Sequence, residues 1–400
     1  MVHGHVAPGF EDVRDEFARN FEHRRELGAA VAAYHRGRKV VDLWGGFRDA
    51  SRREPWVEDT LILVFSTSKG LAAMALALLH SRGLLDYDER VAAYWPEFAQ
   101  NGKDQITVRQ LLGHEAGLSA IDERLSSRNL GDLDEVARIL ARQAPSWRPG
   151  TRHGYHALSI GWYESALLRR IDPEGRPLGR FFAEEIAEPL GLEFYFGLPI
   201  EVSSWRVASM QAPDPRTLAR ELRRLPPKMA LGFLDRRSLT ARTFANPRMR
   251  SAATLDLPRY RVLEIPAGGG IGQVRSIARA YSDLATGGSA MGIAPATLDE
   301  LTRPATVPSG GAEDLVLRVE TNFSLGFARP SDLAPFGGGP SAFGHPGAGG
   351  SFAFADPDAE VSFAYAMNRM GLYLFDDPRE KALRDALYRC VARAPAAVAT

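Results

Sequence analysis

The pattern of apolar and polar positions predicts strands at both ends of the chain and helices between them. Ala29 to His35 (AAVAAYH) and Val40 to Trp44 (VVDLW) are short apolar runs separated by Arg36-Gly37-Arg38-Lys39. A glycine-bearing turn of that length joins two strands as a hairpin, and Gly45 and Gly46 end the second strand. From Ser66 to Leu112 the reading is helical. Ser66 to Ser81 is apolar on nearly every side after Lys69, which predicts a buried helix, with Gly83 as its stop. Thr107 is placed to cap a short helix running to Leu112. Leu133, Val136, Ala137 and Leu140 recur at i, i+3, i+4 and i+7, one face of an amphipathic helix. Leu178, Phe181, Phe182 and Ile186 form a similar stripe before Pro189. Residues 197–265, rich in Pro and Arg, predict long loops with short helices. Ser276 is read as the cap of a helix with the stripe Ile277, Ala280, Tyr281 and Leu284, stopped by Gly287 and Gly288. Ser351 to Ala355 (SFAFA) and Val361 to Met367 (VSFAYAM) alternate with period two around the turn Asp356-Pro357-Asp358. Pro378 opens a last helix whose apolar face is Leu383, Leu387, Cys390 and Val391.

This order predicts an α+β fold. The two hairpins join into one antiparallel sheet flanked by helices, and the middle of the chain forms a large helical insertion. The expected division is a sheet domain from residues 1–65 and 260–400 and a mainly helical domain from residues 66–259. A ligand site is expected in the cleft between them.

Composition narrows the function. The 400 residues carry 49 basic and 49 acidic side chains, a net charge of zero. A nucleic-acid binder normally shows a basic excess, and an acidic membrane surface would not attract this chain by charge. Hydrophobic content of 45% with 24% charged residues is that of a soluble globular protein. The one cysteine, Cys390, allows no intrachain disulfide and no cysteine metal cluster, and reads as inert core. Met1 to Asn20 has no apolar leader, and the longest apolar run, Leu71 to Leu79, falls far short of the about 20 residues that span a bilayer. A cytoplasmic location is expected. Lysine occurs only at Lys39, Lys69, Lys103, Lys228 and Lys381. Four of these sit in polar or turn-like surroundings, whereas Lys69 directly precedes the most apolar stretch.

Ser66-Thr67-Ser68-Lys69 is an S-x-x-K motif at the start of that helix. Residues three apart share a helix face, so Ser66 and Lys69 can touch. A serine hydroxyl needs a base to become a nucleophile. Burial lowers a lysine's pKa and so fits it for that task. Alone, the motif also fits a helix-capping serine followed by a solvated lysine. Gly154-Tyr155-His156-Ala157 places a tyrosine at the start of a helix, where scaffold and function are about equally good readings. Gly344-His345-Pro346-Gly347-Ala348-Gly349-Gly350 leads into the Ser351 strand, and such a glycine density allows either a close ligand approach or a plain turn.

Together these segments resemble the β-lactamase-like serine hydrolases of the penicillin-recognising fold, and most of all the family VIII carboxylesterases. The resemblance runs from about Gly28 to near the C-terminus. It rests on FSTSKG (Phe65 to Gly70), LLGHEAGL (Leu111 to Leu118), PGTRHGYHALSIGW (Pro149 to Trp162), LGRFFAEEIAEPLGL (Leu178 to Leu192) and FGHPGAGGSFAFADP (Phe343 to Pro357), in that order. It implies a β-lactamase/transpeptidase-like fold, with Ser66 as the acyl-accepting nucleophile and Lys69 as the group that holds or shuttles its proton. Tyr155 would be the general base for acylation and would then protonate the leaving alcohol. The oxyanion hole would be the backbone N–H groups of Ser66 and Ala348. His345, Gly347 and Gly349 would line the substrate site.

Three departures separate the chain from the β-lactamases of that group. Tyr155-His156-Ala157 stands where Tyr-x-Asn is usual, so the amide that would contact the lysine is absent. His345 replaces a permanent cation, and Ala267-Gly268-Gly269-Gly270-Ile271-Gly272-Gln273 lacks the polar side chains of its counterpart. A simple ester has no carboxylate to clamp, so an esterase reading survives all three. No G-x-S-x-G elbow and no G-x-G-x-x-G fingerprint occurs. His3, His5, His153 and His156 read as structural rather than metal-binding, and His114 as a packing or capping residue. The sequence therefore predicts a serine carboxylesterase for short-chain, small-molecule esters, with no metal or organic cofactor and no nucleic-acid or membrane partner. The alternatives are an acyltransferase, D-peptidase, amidase or weak β-lactamase on the same fold, or a catalytically silent binding protein.

Overall fold

The computed structural model describes residues 1–213, 217 and 224–394. Its strands are β1 (Val2–Val6), β2 (Gly28–His35), β3 (Arg38–Gly46), β4 (Ile62–Leu63), β5 (Phe194–Phe196), β6 (Gly270–Gly272), β7 (Phe323–Ser324), β8 (Phe327–Ala328), β9 (Phe343–Pro346), β10 (Phe352–Asp356) and β11 (Val361–Met367). Its principal helices are α1 (Glu11–His23), α2 (Ser68–Ser81), α3 (Leu133–Arg142), α4 (Ser159–Ile171), α5 (Val274–Ala285) and α6 (Pro378–Arg393).

Eight strands form one antiparallel sheet in the order β1-β3-β2-β11-β10-β9-β8-β7. The two ends of the chain meet in its middle, where Val31 of β2 lies opposite Tyr365 of β11. Both faces of β2 are covered. Val31 and Ala33 face a core that includes Phe17 of α1 and Leu383 and Leu387 of α6. Ala32 faces the other core, with Ile277 and Leu284 of α5 and nearly all of α2. Short alanines on these strands let helices approach from both sides. The expected antiparallel sheet with flanking helices is the observed architecture. A second, three-stranded sheet, β4-β6-β5, lies beside the start of α2.

Several local expectations are corrected. β1 and α1 fall in a stretch where no element is expected. β1 is an edge strand pairing with β3, so His3 and His5 sit in a ladder opposite Trp44 and Asp42. α1 buries Val13 and Phe17 beneath an otherwise charged surface, a stripe too thin to stand out. The Ser66–Leu112 region is several helices: a 3₁₀ turn at Phe65–Thr67, then α2, then short turns, and Val108–Leu112 under a Thr107–Gln110 capping box. Gln273, not Ser276, precedes α5, and the Ser276 hydroxyl instead accepts the Glu193 N–H at 2.9 Å. The described part of 197–265 is loop with short helices at Pro227–Leu234, Leu239–Phe244 and Pro258–Arg261. Lys103 is not solvated. It is buried and donates to the carbonyls of Gln100, Ala141 and Gln143. Among the described residues no helix is long and apolar enough to cross a membrane.

Candidate active site

The strand β4 leads into the Phe65–Thr67 turn, and Phe65 takes a left-handed φ of 50°. A bulky residue there is strained and must be held by its surroundings. The next residues do the holding. The Thr67 hydroxyl meets the Ser351 hydroxyl at 3.1 Å, and Ser351 donates to the Val64 carbonyl at 2.8 Å. The Ser68 hydroxyl donates to the Phe65 carbonyl and accepts the Gly270 N–H. Thr67 and Ser68 are thus buried and committed, whereas Ser66 between the same anchors is partly exposed.

Lys69 is buried. Its Nζ lies 3.0 Å from Ser66 Oγ, 2.7 Å from the Ala157 carbonyl and 2.8 Å from the Ala267 carbonyl. The side-chain amide missing at Ala157 is replaced by that residue's backbone carbonyl, and the apolar 267–273 segment contributes another. Carbonyls only accept, so two of the nitrogen's hydrogens are fixed and the third position faces the Ser66 hydroxyl. Burial pulls the ammonium down to about 7, opposed by the negative charge of Glu164.

Tyr155 is not at a helix start. It lies in an irregular segment four residues before α4. Its N–H donates to Asp314 Oδ2 at 2.9 Å, and Asp314 Oδ1 accepts the N–H groups of Val316 and Leu317. The ring packs against both Phe323 and His345, with centroids 5.6 and 5.9 Å away and those two rings 6.0 Å from each other, and Lys69 Nζ lies 4.8 Å from its centre. Burial pushes the phenol above its ordinary value, while a hydrogen bond with Ser66 pulls it down.

His345 is buried, with Nδ1 2.7 Å from the Pro346 carbonyl. Burial and the nearby Lys69 hold it well below the usual histidine range, so it is neutral. Gly347 is hemmed in: a Cβ there would lie 2.2 Å from Ser351 Oγ and 2.5 Å from the Val64 carbonyl. Gly349 has φ 89° and packs on Met367 and Met370. Ala348 between them is exposed, while both glycines are buried. His114 and His156 pack as expected. His114 Nδ1 accepts the His156 N–H, and His156 Nε2 accepts the Leu118 N–H. His153 meets the Thr321 hydroxyl at 3.0 Å.

Sequence reasoning missed Asp314, Phe323 and Glu164. Asp314 comes from an irregular segment 159 residues after Tyr155 and Phe323 from the two-residue strand β7, and no local pattern marks either. Glu164 did leave a signal: it is the one charge between Ser159 and Leu168 (SIGWYESALL).

A family model described as Beta-lactamase matches residues 16–388. The chain is 35% identical over 351 residues to the Esterase/beta-lactamase LipL of Mycobacterium tuberculosis (strain ATCC 25618 / H37Rv), covering 86% of this chain and 78% of that protein. Its fold is similar to the crystal structure of a family VIII carboxylesterase (39% identity, TM-score 0.86, 98% of this chain and 100% of that one). It is also similar to a penicillin-binding protein homolog from Caulobacter crescentus (36% identity, TM-score 0.83, 98% and 100%).

Proposed function

The chain belongs to the Beta-lactamase family, and on that premise we propose that it is a serine carboxylesterase hydrolysing short-chain esters through an acyl-enzyme on Ser66. The observation that carries the reading is the coordination of Lys69. As an ammonium it donates to Ser66 Oγ and two carbonyls. As a neutral amine it keeps both carbonyl bonds, and its lone pair accepts the Ser66 O–H. One geometry serves both protonation states, as a proton shuttle requires.

In the proposed cycle Ser66 Oγ attacks the ester carbonyl as its proton passes to the Lys69–Tyr155 pair. The Lys69 cation beside the Tyr155 ring lowers the cost of phenolate formation. Tyr155 then returns a proton to the leaving alcohol, and water releases the acid. The N–H groups of Ser66 and Ala348 would bind the oxyanion. Support for Ala348 is its exposure between two buried glycines. His345, Gly347 and Gly349 would form the wall of the substrate site. Neutral His345 offers no cation to a substrate carboxylate, which favours uncharged small-molecule esters. The proposal also takes residues 1–65 and 260–400 as the sheet domain and 66–259 as the helical domain. It includes a cytoplasmic location, in keeping with a single unpaired cysteine.

Short nitrophenyl esters test the reading. Wild type should turn them over, and Ser66→Ala should lose at least about 10³-fold in kcat/KM. Retained activity in the mutant would remove the mechanism. The LipL name joins esterase with β-lactamase, so a β-lactam and a competing alcohol belong in the same assay. If a phosphonate adds no covalent mass at Ser66, the chain reverts to a silent binding protein.

A further inference from the structure

Glu164 is fully buried on α4, and neither of its carboxyl oxygens has a hydrogen-bond partner among the described residues. A buried carboxyl without partners is costly, and each such group calls for an explanation. Packing places it against α2. A Cβ built on Gly326 would lie 2.7 Å from Ala73 Cβ and 3.4 Å from Glu164 Oε1. Gly326 has φ 86° and no side chain, so this space stays open to the carboxyl. Ala73 follows Lys69 by one helical turn on the same face. Glu164 therefore lies beside the turn of α2 that follows Lys69.

We propose that Glu164 is a positioning residue for Lys69: without a hydrogen bond to it, the charge state of the buried carboxyl sets how firmly Lys69 holds its proton. The inference rests on the serine-hydrolase reading of Ser66 and Lys69. In the one-proton state the pair is either carboxyl with amine or carboxylate with ammonium, and both forms are neutral overall. When Glu164 is ionised and Lys69 is a neutral amine, uptake of the Ser66 proton converts carboxylate with amine into carboxylate with ammonium, and the carboxylate offsets the new charge. Without it an uncompensated cation would be formed in a dry site.

The surroundings leave this pair isolated. Lys69 is the charged group whose field reaches Glu164, and burial pushes that carboxyl up to about 8. Tyr163 on the same helix is a buried phenol turned to the Leu140 carbonyl at 3.4 Å. Tyr281 of α5 sits over Gly70, its hydroxyl without a partner among the described residues. Around Lys69 itself stand Tyr155, His114, His156 and His345. Burial holds the three histidines low, so they stay neutral and do not compete for the proton.

Glu164→Gln tests the inference, read as the pH dependence of both ester hydrolysis and phosphonylation of Ser66. A carboxylate stabilises the ammonium, so its removal makes Lys69 lose its proton more readily. The limb that reports neutral Lys69 should move toward acid by about one pH unit. Glu164→Met should move it equally, since charge rather than shape is responsible, and serves if the Gln variant does not fold. An unmoved limb, or a fall in rate that is uniform with pH, would overturn the inference. Phosphonylation separates it from the esterase reading. If the labelling limb moves but no ester is cleaved, the Glu164–Lys69 pair stands and the esterase assignment falls.

Discussion

Two lysines show how burial is put to different uses in one protein. Lys69 and Lys103 are both buried with no hydrogen-bonded carboxylate among the described residues, and burial lowers them to about 7 and about 8. Lys103 donates to three carbonyls, two of them, Ala141 and Gln143, at the C-terminal end of α3. It acts as a remote cap on orphaned acceptors at the negative end of the helix dipole. Lys103→Met should therefore lower stability by about 2–4 kcal/mol, read from the urea midpoint, without moving the pH limbs of ester hydrolysis. Lys69 has a hydroxyl as its third partner, and only that partner can give a proton back. Both groups also bear on stability against pH. Each has a folded pKa below its unfolded value, so between about pH 8 and 10 the unfolded chain binds more protons and stability rises with pH. Each contributes at most about 1.4 kcal/mol per pH unit. Lys69→Met should remove one of the two shares. If the slope of unfolding free energy from pH 8 to 9.5 is the same in mutant and wild type, Lys69 is not depressed in the folded state.

At the scale of elements, the site depends on how closely α2 lies against α5. Gly70 permits it: a Cβ there would fall 1.8 Å from Tyr281 Oη and 3.3 Å from Phe327. Gly70→Ala should cost at least about 2 kcal/mol by overpacking, measured by chemical denaturation. Tyr281→Phe should recover part of that loss, because it deletes the clashing hydroxyl. A neutral Gly70→Ala would mean that α5 can recede freely. The same elements show what a single sequence discloses. α2 is apolar on nearly every side, the N-terminal hairpin is two apolar runs around a glycine-bearing turn, the C-terminal hairpin alternates with period two, and Pro378 marks the start of α6, so these were legible. α1 and β1 were not, because Val13 and Phe17 form a stripe one residue wide and an edge strand needs only β3 as its partner. Ser66 and Lys69 were legible as a pair, since i, i+3 spacing survives the switch from helix to 3₁₀ turn. Tyr155 was found by motif but misplaced onto a helix. Its irregular backbone is held by Asp314, a contact across 159 residues that no local pattern encodes. Ser276 failed as a cap because its hydroxyl serves a distant N–H instead.

For the whole molecule, the question is what locks the two ends of the chain together beside the site. Arg379 at the start of α6 is the junction. Its guanidinium donates to Asp377 at 2.7 Å and to Glu26 at 3.2 Å, just before β2. It also donates to the carbonyls of Gly349 and Arg369. Tyr365 of β11 donates to Glu26, and Asn20 of α1 donates to the Arg379 carbonyl. One buried side chain thus connects the N-terminal hairpin, the last strand, the last helix and the glycine loop that carries Ala348. Removing one member of a buried ion network strands the others, which costs more than the pair contributes when intact. Arg379→Met leaves Glu26 and Asp377 facing each other without a cation and should lower stability by about 3–5 kcal/mol. It also frees the Gly349 carbonyl, so turnover of a short ester should fall in the protein that remains folded. Arg379→Lys keeps the charge but not the planar fork, so it should recover part of the stability and little of the turnover. If Arg379→Met shifts the denaturation midpoint by less than the equivalent of about 1 kcal/mol, the ends are held by sheet pairing and packing alone. If stability falls but turnover per folded molecule does not, the Gly349 loop keeps its shape without the arginine. The distinction matters because β2 and β11 are already neighbours in the sheet. Strand pairing fixes the register of the two ends, and Arg379 adds a direct tie from that seam to the glycine loop that packs on Val64 and Thr67.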